Sequence, residues 1–164
     1  MTLRLDLTDQ DFFRDPVARI AELRALGPVI RIKFPIVGKV WITYEMAGRV
    51  LLALLFLLAG GSKLGAYGAT VAYMSSAGVP GALLPAVIAA EIGGALAIIL
   101  GWKTRVAAAL LAAFSVLTAL TFHNNFADQI QMIMFLKNLS IAGGLLLLVA
   151  NGAGPLSIDR RLAK

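Results

Sequence analysis

Four ionisable side chains stand inside apolar stretches of this chain: Lys63, Glu91, His123 and Lys137, the last followed by Asn138. A charge in a membrane-spanning segment is expensive, so such groups normally face the bundle interior, pair with one another, or mark a binding or proton path. At about 1.5 Å per residue, Glu91 lies roughly 13 Å in from the outer start of its segment and Lys137 roughly 11 Å in from the outer start of its own. The two share a level. The expectation is an ion pair between Glu91 and Lys137, because an unpaired ammonium at that depth would be costly or would lose its proton. Lys63 closes the outer end of the first segment and His123 the outer end of the third, so every segment carries a polar group in its outer half. With Glu91 ionised, two lysines against one carboxylate leave a positive charge, which favours an anion or an electron-rich carbonyl head. His123 would move a proton to or from it. A quinone or a small oxyanion fits that description.

Each of these residues also has a plainer reading. Lys63 would snorkel to the headgroups, Glu91 and Lys137 would fix helix register as a structural pair, His123 would be an interfacial residue, and Asn138 would be interhelical hydrogen-bond glue. Tyr67, Tyr73, Trp41 and Trp102 read as interface anchors.

The elements that must position these groups are four hydrophobic segments, near residues 48–64, 82–102, 106–122 and 130–150, each about 17 to 25 residues long as a bilayer crossing requires. Composition agrees. With 59% apolar and 15% charged residues and a mean hydropathy of +0.84, the chain has more apolar surface than a domain of this size buries internally, so lipid must be its solvent. Residues 65–81 are too polar and glycine-rich to span and should form a short lid or interfacial helix on the outer face. In the inner half, small residues (Ala90 with Gly94, Ala107 to Ala109, Gly143-Gly144) let backbones approach closely. The picture is a packed floor beneath a polar cup.

Lys103 and Arg105 lie between the second and third segments, and Arg160, Arg161 and Lys164 lie in the tail, whereas the link between the third and fourth carries no base. Four crossings put all these bases and both termini on one side, expected to be the cytoplasm of a cytoplasmic (inner) membrane. The net charge of +6 therefore reads as a topology signal, and without an aromatic-rich basic patch it does not point to nucleic acid. The absence of cysteine removes disulfides, thiolate metal sites and thiol catalysis, and one histidine cannot build a metal site. No charged n-region followed promptly by an apolar core opens the chain, so the first apolar segment should be an uncleaved anchor.

Residues 1–47 differ sharply from residues 48–164. Asp15-Pro16 starts and Gly27-Pro28 stops a short helix, and "VIRIKF" and "KVWITY" alternate about a Pro/Gly loop as a hairpin does. The expected fold is thus an all-α integral membrane protein, a four-transmembrane-helix bundle with a small N-terminal helix-plus-β-hairpin arm. The arm "DPVARIAELRALGPVIRIKFPIVGKVWITYEMA" resembles the opening of bacterial cytochromes P450, without the cysteine that would ligate haem, so no haem function is implied.

"GRVLLALLFLLAGGSKL", "YMSSAGVP", "AAEIGGALAIILGWKTRVAA", "FH" at 122–123 and "FLKNLSIAGGLLLL" followed by "LSIDRRL" resemble the DoxX family of small four-helix membrane proteins over residues 48–162. In that family's pattern the lysine after the glycine pair falls on Lys63, the glutamate of the second helix on Glu91, the histidine closing the third helix on His123, and the Lys-Asn pair on Lys137 and Asn138. The resemblance implies a subunit of a quinone-linked oxidoreductase acting on sulfur compounds or in thiol and oxidative-stress defence, whereas more distant relatives act as cargo receptors or chaperones. In that setting Glu91 and Lys137 would orient and polarise the ligand, Lys63 would attract it, His123 would relay protons and Asn138 would donate a hydrogen bond. No redox cofactor is encoded. Electrons would have to come from a substrate, a quinone or a partner subunit. The alternatives are a membrane scaffold or chaperone, recruiting other subunits or a second copy, and a small-anion permease.

Overall fold

The computed structural model describes the backbone at residues 4–5, 29–34 and 38–43 and the chain from 44 to 163. It divides into two compact units, Met1–Gly48 and Arg49–Lys164. In the first unit β1 (Arg4–Leu5) runs parallel to β2 (Val29–Phe34), and β2 pairs antiparallel with β3 (Gly38–Thr43), Val29 opposite Thr43 and Phe34 opposite Gly38. The short helix expected between Asp15 and Gly27 lies outside the described residues.

α1 (Tyr44–Gly65), which belongs to the second unit from Arg49 onward, carries the first apolar segment. The glycine-rich stretch that follows folds as α2 (Tyr67–Ser76). A single 3-10 turn at Gly81–Leu83 leads into α3 (Leu84–Leu100), whose first turn holds Pro85, where a missing amide proton costs nothing. α3 stops at Gly101, whose φ of 69° an L side chain rarely adopts. α4 (Thr104–Phe122) and α5 (Gln129–Asn151) complete the set, and Asp128 caps α5 by accepting from the amides of Ile130 and Gln131. A last short helix, α6 (Ile158–Leu162), is capped by Ser157.

Among the described residues four helices are long and apolar enough to cross a membrane: α1, the run Gly81–Leu100 containing α3, α4 and α5. Short links make α3, α4 and α5 successively antiparallel, and the contact of Lys63 at the end of α1 with Glu91 in the first half of α3 sets α1 antiparallel to α3. The end of α1, the start of α3, the end of α4 and the start of α5 therefore gather at one end of the bundle, here called the rim. A packed floor is present, with Ala53, Phe56, Ala95, Ile98, Ala108, Leu111 and Leu145 in one buried cluster, whereas Ala90 and Ala109, expected in it from the sequence, are exposed. A Cβ on Gly94 would come within 2.9 Å of Leu111, and one on Gly144 within 3.2 Å of Leu52, so these two glycines do serve close approach. Gly143 has open space around it and faces outward.

The base of the bundle is closed by a clasp that the sequence pattern did not announce. The buried Arg49 guanidinium donates to the carbonyls of Leu156 at 2.6 Å and Ile98 at 3.4 Å. Asp159 accepts from the amides of Lys103 at 2.7 Å and Thr104 at 2.9 Å, and its own amide donates to Gly101 O at 2.8 Å. The tail thereby caps α4 from outside the helix, supplying the carboxylate that its N-terminus favours. Burial opposes ionisation of Asp159, but hydrogen bonds from Thr104 and the Lys103 amide, together with the charge of Arg49, hold its carboxyl below the ordinary value.

Candidate functional site

Side chains on a helix lean toward its N-terminus. That rule, applied to antiparallel neighbours, decides which lysine meets Glu91. Lys63 sits near the rim on α1, whose N-terminus lies at the base, so its side chain leans down into the bundle. Glu91 sits two turns into α3, whose N-terminus lies at the rim, so its carboxylate leans up. The two converge: Lys63 Nζ donates to both Glu91 oxygens at 2.8 Å. Glu91 is 5% exposed and Lys63 25%. Gly60, one turn before Lys63, makes the approach possible, since a Cβ there would come within 2.6 Å of Ile92 Cγ1 and 3.4 Å of Glu91 Cβ. The third ammonium proton has only a long 3.5 Å contact to Ala59 O.

The expected pair between Glu91 and Lys137 is therefore corrected: Glu91 is held by Lys63, and Lys137 points elsewhere. α5 begins at the rim, so Lys137 leans toward the rim along its own helix, and its ammonium lies 3.2 Å from Met134 Sδ, exposed. Rotation excludes it from the interior as well. Ala142, Leu145 and Leu148 are the buried positions of α5. Asn138, four residues before Ala142, shares their face and is half-buried, whereas Lys137 is turned about 100° away. The Asn138 amide donates to Met134 O at 2.9 Å within its own helix.

Above the Lys63–Glu91 pair opens a cleft of about 420 Å³ between the end of α1, α2, α3 and α4. The expected lid is α2, which contributes Thr70, Tyr73 and Met74 to the wall. Tyr73 lies stacked on Phe122 with ring centroids 5.3 Å apart, so it walls the cleft as well as facing the interface. Val87, Phe114 and Leu117 supply further apolar wall, and His123 stands at the mouth. His123 Nδ1 lies 2.8 Å from Gln131 Oε1 on α5. With that amide oxygen accepting, Nδ1 carries the proton and Nε2 is left as an acceptor.

Three of the five residues singled out from the sequence, Lys63, Glu91 and His123, thus line one cleft. Lys137 and Asn138 lie on another helix and do not line it. The residues missed are Gly60, Tyr73, Phe122 and Gln131. The "GGSK" run gave a signal for the first, because a glycine one turn from a lysine marks a close backbone approach on the lysine's own face.

The cleft is electrically balanced. One ammonium meets one carboxylate, so the surplus positive charge that favoured an anion disappears with Lys137. What remains is a polar contact point, one underused donor on Lys63, at the end of an apolar and aromatic pocket. Such an arrangement suits an uncharged molecule with a carbonyl or hydroxyl head and a hydrophobic body.

The profile of the DoxX family matches residues 45–124. Inner membrane protein YqjF of Escherichia coli strain K12 is 49% identical over 119 residues, covering 73% of this chain and 92% of the relative. Inner membrane protein YphA of the same organism is 38% identical over 123 residues, covering 71% of this chain and 88% of the relative. No solved structure matches significantly. The family match begins after the strands, so the likeness of the arm to the opening of cytochromes P450 gains no support from it. Four apolar helices and two inner-membrane relatives support a multi-pass location in the inner membrane. The chain belongs to the DoxX family.

Proposed function

We propose that this protein holds the head of a lipid-soluble quinone in the rim cleft and serves as the membrane subunit of a quinone-linked oxidoreductase acting on sulfur compounds or in thiol and oxidative-stress defence. The observation that carries the reading is the charge-neutral Lys63–Glu91 pair at the end of an otherwise apolar cleft. A quinone, when bound, supplies the two-electron chemistry that no residue of this chain provides. The protein's own part is positional. Lys63 offers its free proton to a carbonyl oxygen, and Glu91 fixes the ammonium in place. The stacked rings of Tyr73 and Phe122 present apolar surface at the wall, and α2 screens the cleft from water. His123, its tautomer set by Gln131, exchanges a proton with the bound head through Nε2. Lys137 and Asn138 have no part in this step.

Topology belongs to the same proposal. The bases Lys103, Arg105, Arg160 and Arg161 gather at the base, so the base faces the cytoplasm and the cleft opens outward, with both chain ends inside. A small-anion permease fits less well, because the floor of Ala53, Phe56, Ile98, Leu111 and Leu145 lies packed beneath the cleft. One observation favours a second reading, a scaffold subunit: α5 is the least covered of the spans, with 11% of its apolar window buried, and it turns Lys137 outward.

The test is organic extraction of the purified protein followed by ultraviolet spectroscopy and mass spectrometry of the extract. Quinone should accompany the wild type and the Lys137→Met variant, and be lost from Lys63→Met and Glu91→Gln. Absence of quinone from all four, or its retention in all four, would overturn the reading. Capture of partner subunits that depends on Lys137 would favour the scaffold.

A further inference from the structure

At the opposite end from the cleft two further hollows meet. One, of about 270 Å³, is an apolar groove between α3 and α4, formed along Ala89, Ala90, Gly93, Gly94 and Ala97 and reaching Trp102 and Lys103 toward the base. The other, of about 520 Å³, lies around the start of α4 and is lined by Lys103, Arg105, Gly152 and Asp159 among others. Lys103 and Val106 line both. The groove from Ala89 to Trp102 covers 13 residue steps, roughly 20 Å along the helix axis, which is the length of an extended acyl chain of ordinary size. Gly93 has nothing within 4 Å of where a Cβ would stand, so the groove is open to lipid at its middle.

The charges at its lower end are arranged for an anion. Lys103 and Arg105 are both exposed, and among the described residues neither forms an ion pair; Arg160 and Arg161, exposed on α6, likewise form none. One carboxylate, Asp159, lines the same hollow; it accepts from the amides of Lys103 and Thr104 and faces the charge of Arg49, so Lys103 and Arg105 leave the hollow net positive. Lys103 is also the one non-glycine residue with positive φ among the described residues, at 44°. A glycine or asparagine would adopt that backbone more readily, yet a lysine stands there, its ammonium 5.4 Å from the centre of the Trp102 ring.

We infer that the groove and the basic hollow form one site for an anionic phospholipid of the inner leaflet, its phosphate held by Lys103 and Arg105 and one acyl chain lying along Gly93 between α3 and α4. The occupant is a whole lipid rather than a free phosphate, because the apolar groove is continuous with the cationic end. The groove shares one wall residue, Phe114, with the rim cleft, but its cationic end lies at the base, and lipid binding there does not depend on a quinone in that cleft.

The full chain in detergent, titrated by native mass spectrometry with phosphatidylglycerol, phosphatidylcholine or inorganic phosphate, tests this. Phosphatidylglycerol should bind at least tenfold more tightly than phosphatidylcholine, and millimolar inorganic phosphate should not displace it. Lys103→Asn with Arg105→Gln should bring the two lipids to within about twofold of each other, since asparagine keeps the backbone and its amide bond to Asp159. Gly93→Leu should weaken both lipids at least fivefold, with Ala90→Leu as the second groove variant should the first fail to fold. Equal binding of both lipids to the wild type, full displacement by phosphate, or unchanged binding in the groove variants would overturn the inference.

Discussion

Removing the ammonium of Lys63 tests the ion pair through its energy. Lys63→Met leaves the Glu91 carboxylate, 5% exposed, without its two 2.8 Å donors. Opposite charges about 4 Å apart attract by about 4 kcal/mol at an effective dielectric near 20. Deleting one partner of a buried pair typically costs about 3 to 5 kcal/mol, chiefly because the other charge is left stranded. Lys63 is a quarter exposed, so the lower end, about 3 kcal/mol, applies. At 1.4 kcal/mol per tenfold, that is a factor of roughly 150 in the unfolding equilibrium constant. Glu91→Gln alone should cost about 2 kcal/mol, because its amide keeps one acceptor for Lys63. The double variant should be more stable than the two single costs added together, by about 2 kcal/mol, since no unpaired charge remains. The assay is reversible unfolding in mixed micelles with increasing dodecyl sulfate, followed by circular dichroism, on the wild type, these three variants, Lys137→Met, and Glu91→Gln combined with Lys137→Met. Single costs below about 0.5 kcal/mol that simply add would refute the reasoning, as would a coupling of Glu91 to Lys137 as large as that to Lys63.

Other consequences follow from the same geometry. Gly60→Ala should push α3 away from α1, because its Cβ falls 2.6 Å from Ile92 Cγ1, costing about 1 to 3 kcal/mol and weakening whatever the cleft binds. Gly101→Ala should be worse than Gly60→Ala in thermal unfolding, since its Cβ would fall on Arg49 Nη1 and on Ser157 at a φ of 69°. Asp159→Asn should loosen the tail clasp by about 1 kcal/mol, the usual worth of a cap, read as faster protease cleavage near Ser157. Because the Asp159 pKa is lowered in the fold, its contribution is complete above the unfolded value of about 4 and is lost as pH falls through the folded one. Wild type and Asp159→Asn should therefore converge in cleavage rate only below about pH 4. Lys137→Met should change stability by no more than about 0.5 kcal/mol, as for other exposed substitutions.

The elements were legible in the sequence because lipid imposes a length. Apolar runs at 48–64, 82–102, 106–122 and 130–150 became Tyr44–Gly65, Gly81–Leu100, Thr104–Phe122 and Gln129–Asn151, and the polar, glycine-rich 65–81 stretch became the lid. Depth was legible too, since rise per residue is nearly constant. Rotation and lean were not read, and they decided the site. Depth alone paired Glu91 with Lys137. The helical period counted back from Ala142 and Leu145 puts Asn138 inward and Lys137 outward, and the N-terminal lean of helical side chains brings Lys63 down to Glu91. The Arg49 and Asp159 clasp was hidden for a different reason: it joins Arg49 to Leu156, 107 positions away, and Asp159 to Thr104 and Lys103, 55 and 56 positions away, separations at which local pattern says nothing about contact.

Lys63, and not Lys137, meets Glu91 beneath the rim. Dicyclohexylcarbodiimide partitions into bilayers and activates buried carboxylates, so a neighbouring amine can then close a zero-length amide bond. Peptide mapping of the treated protein in native membranes should find Lys63 joined to Glu91 and no link to Lys137. A Glu91–Lys137 link would contradict this pairing.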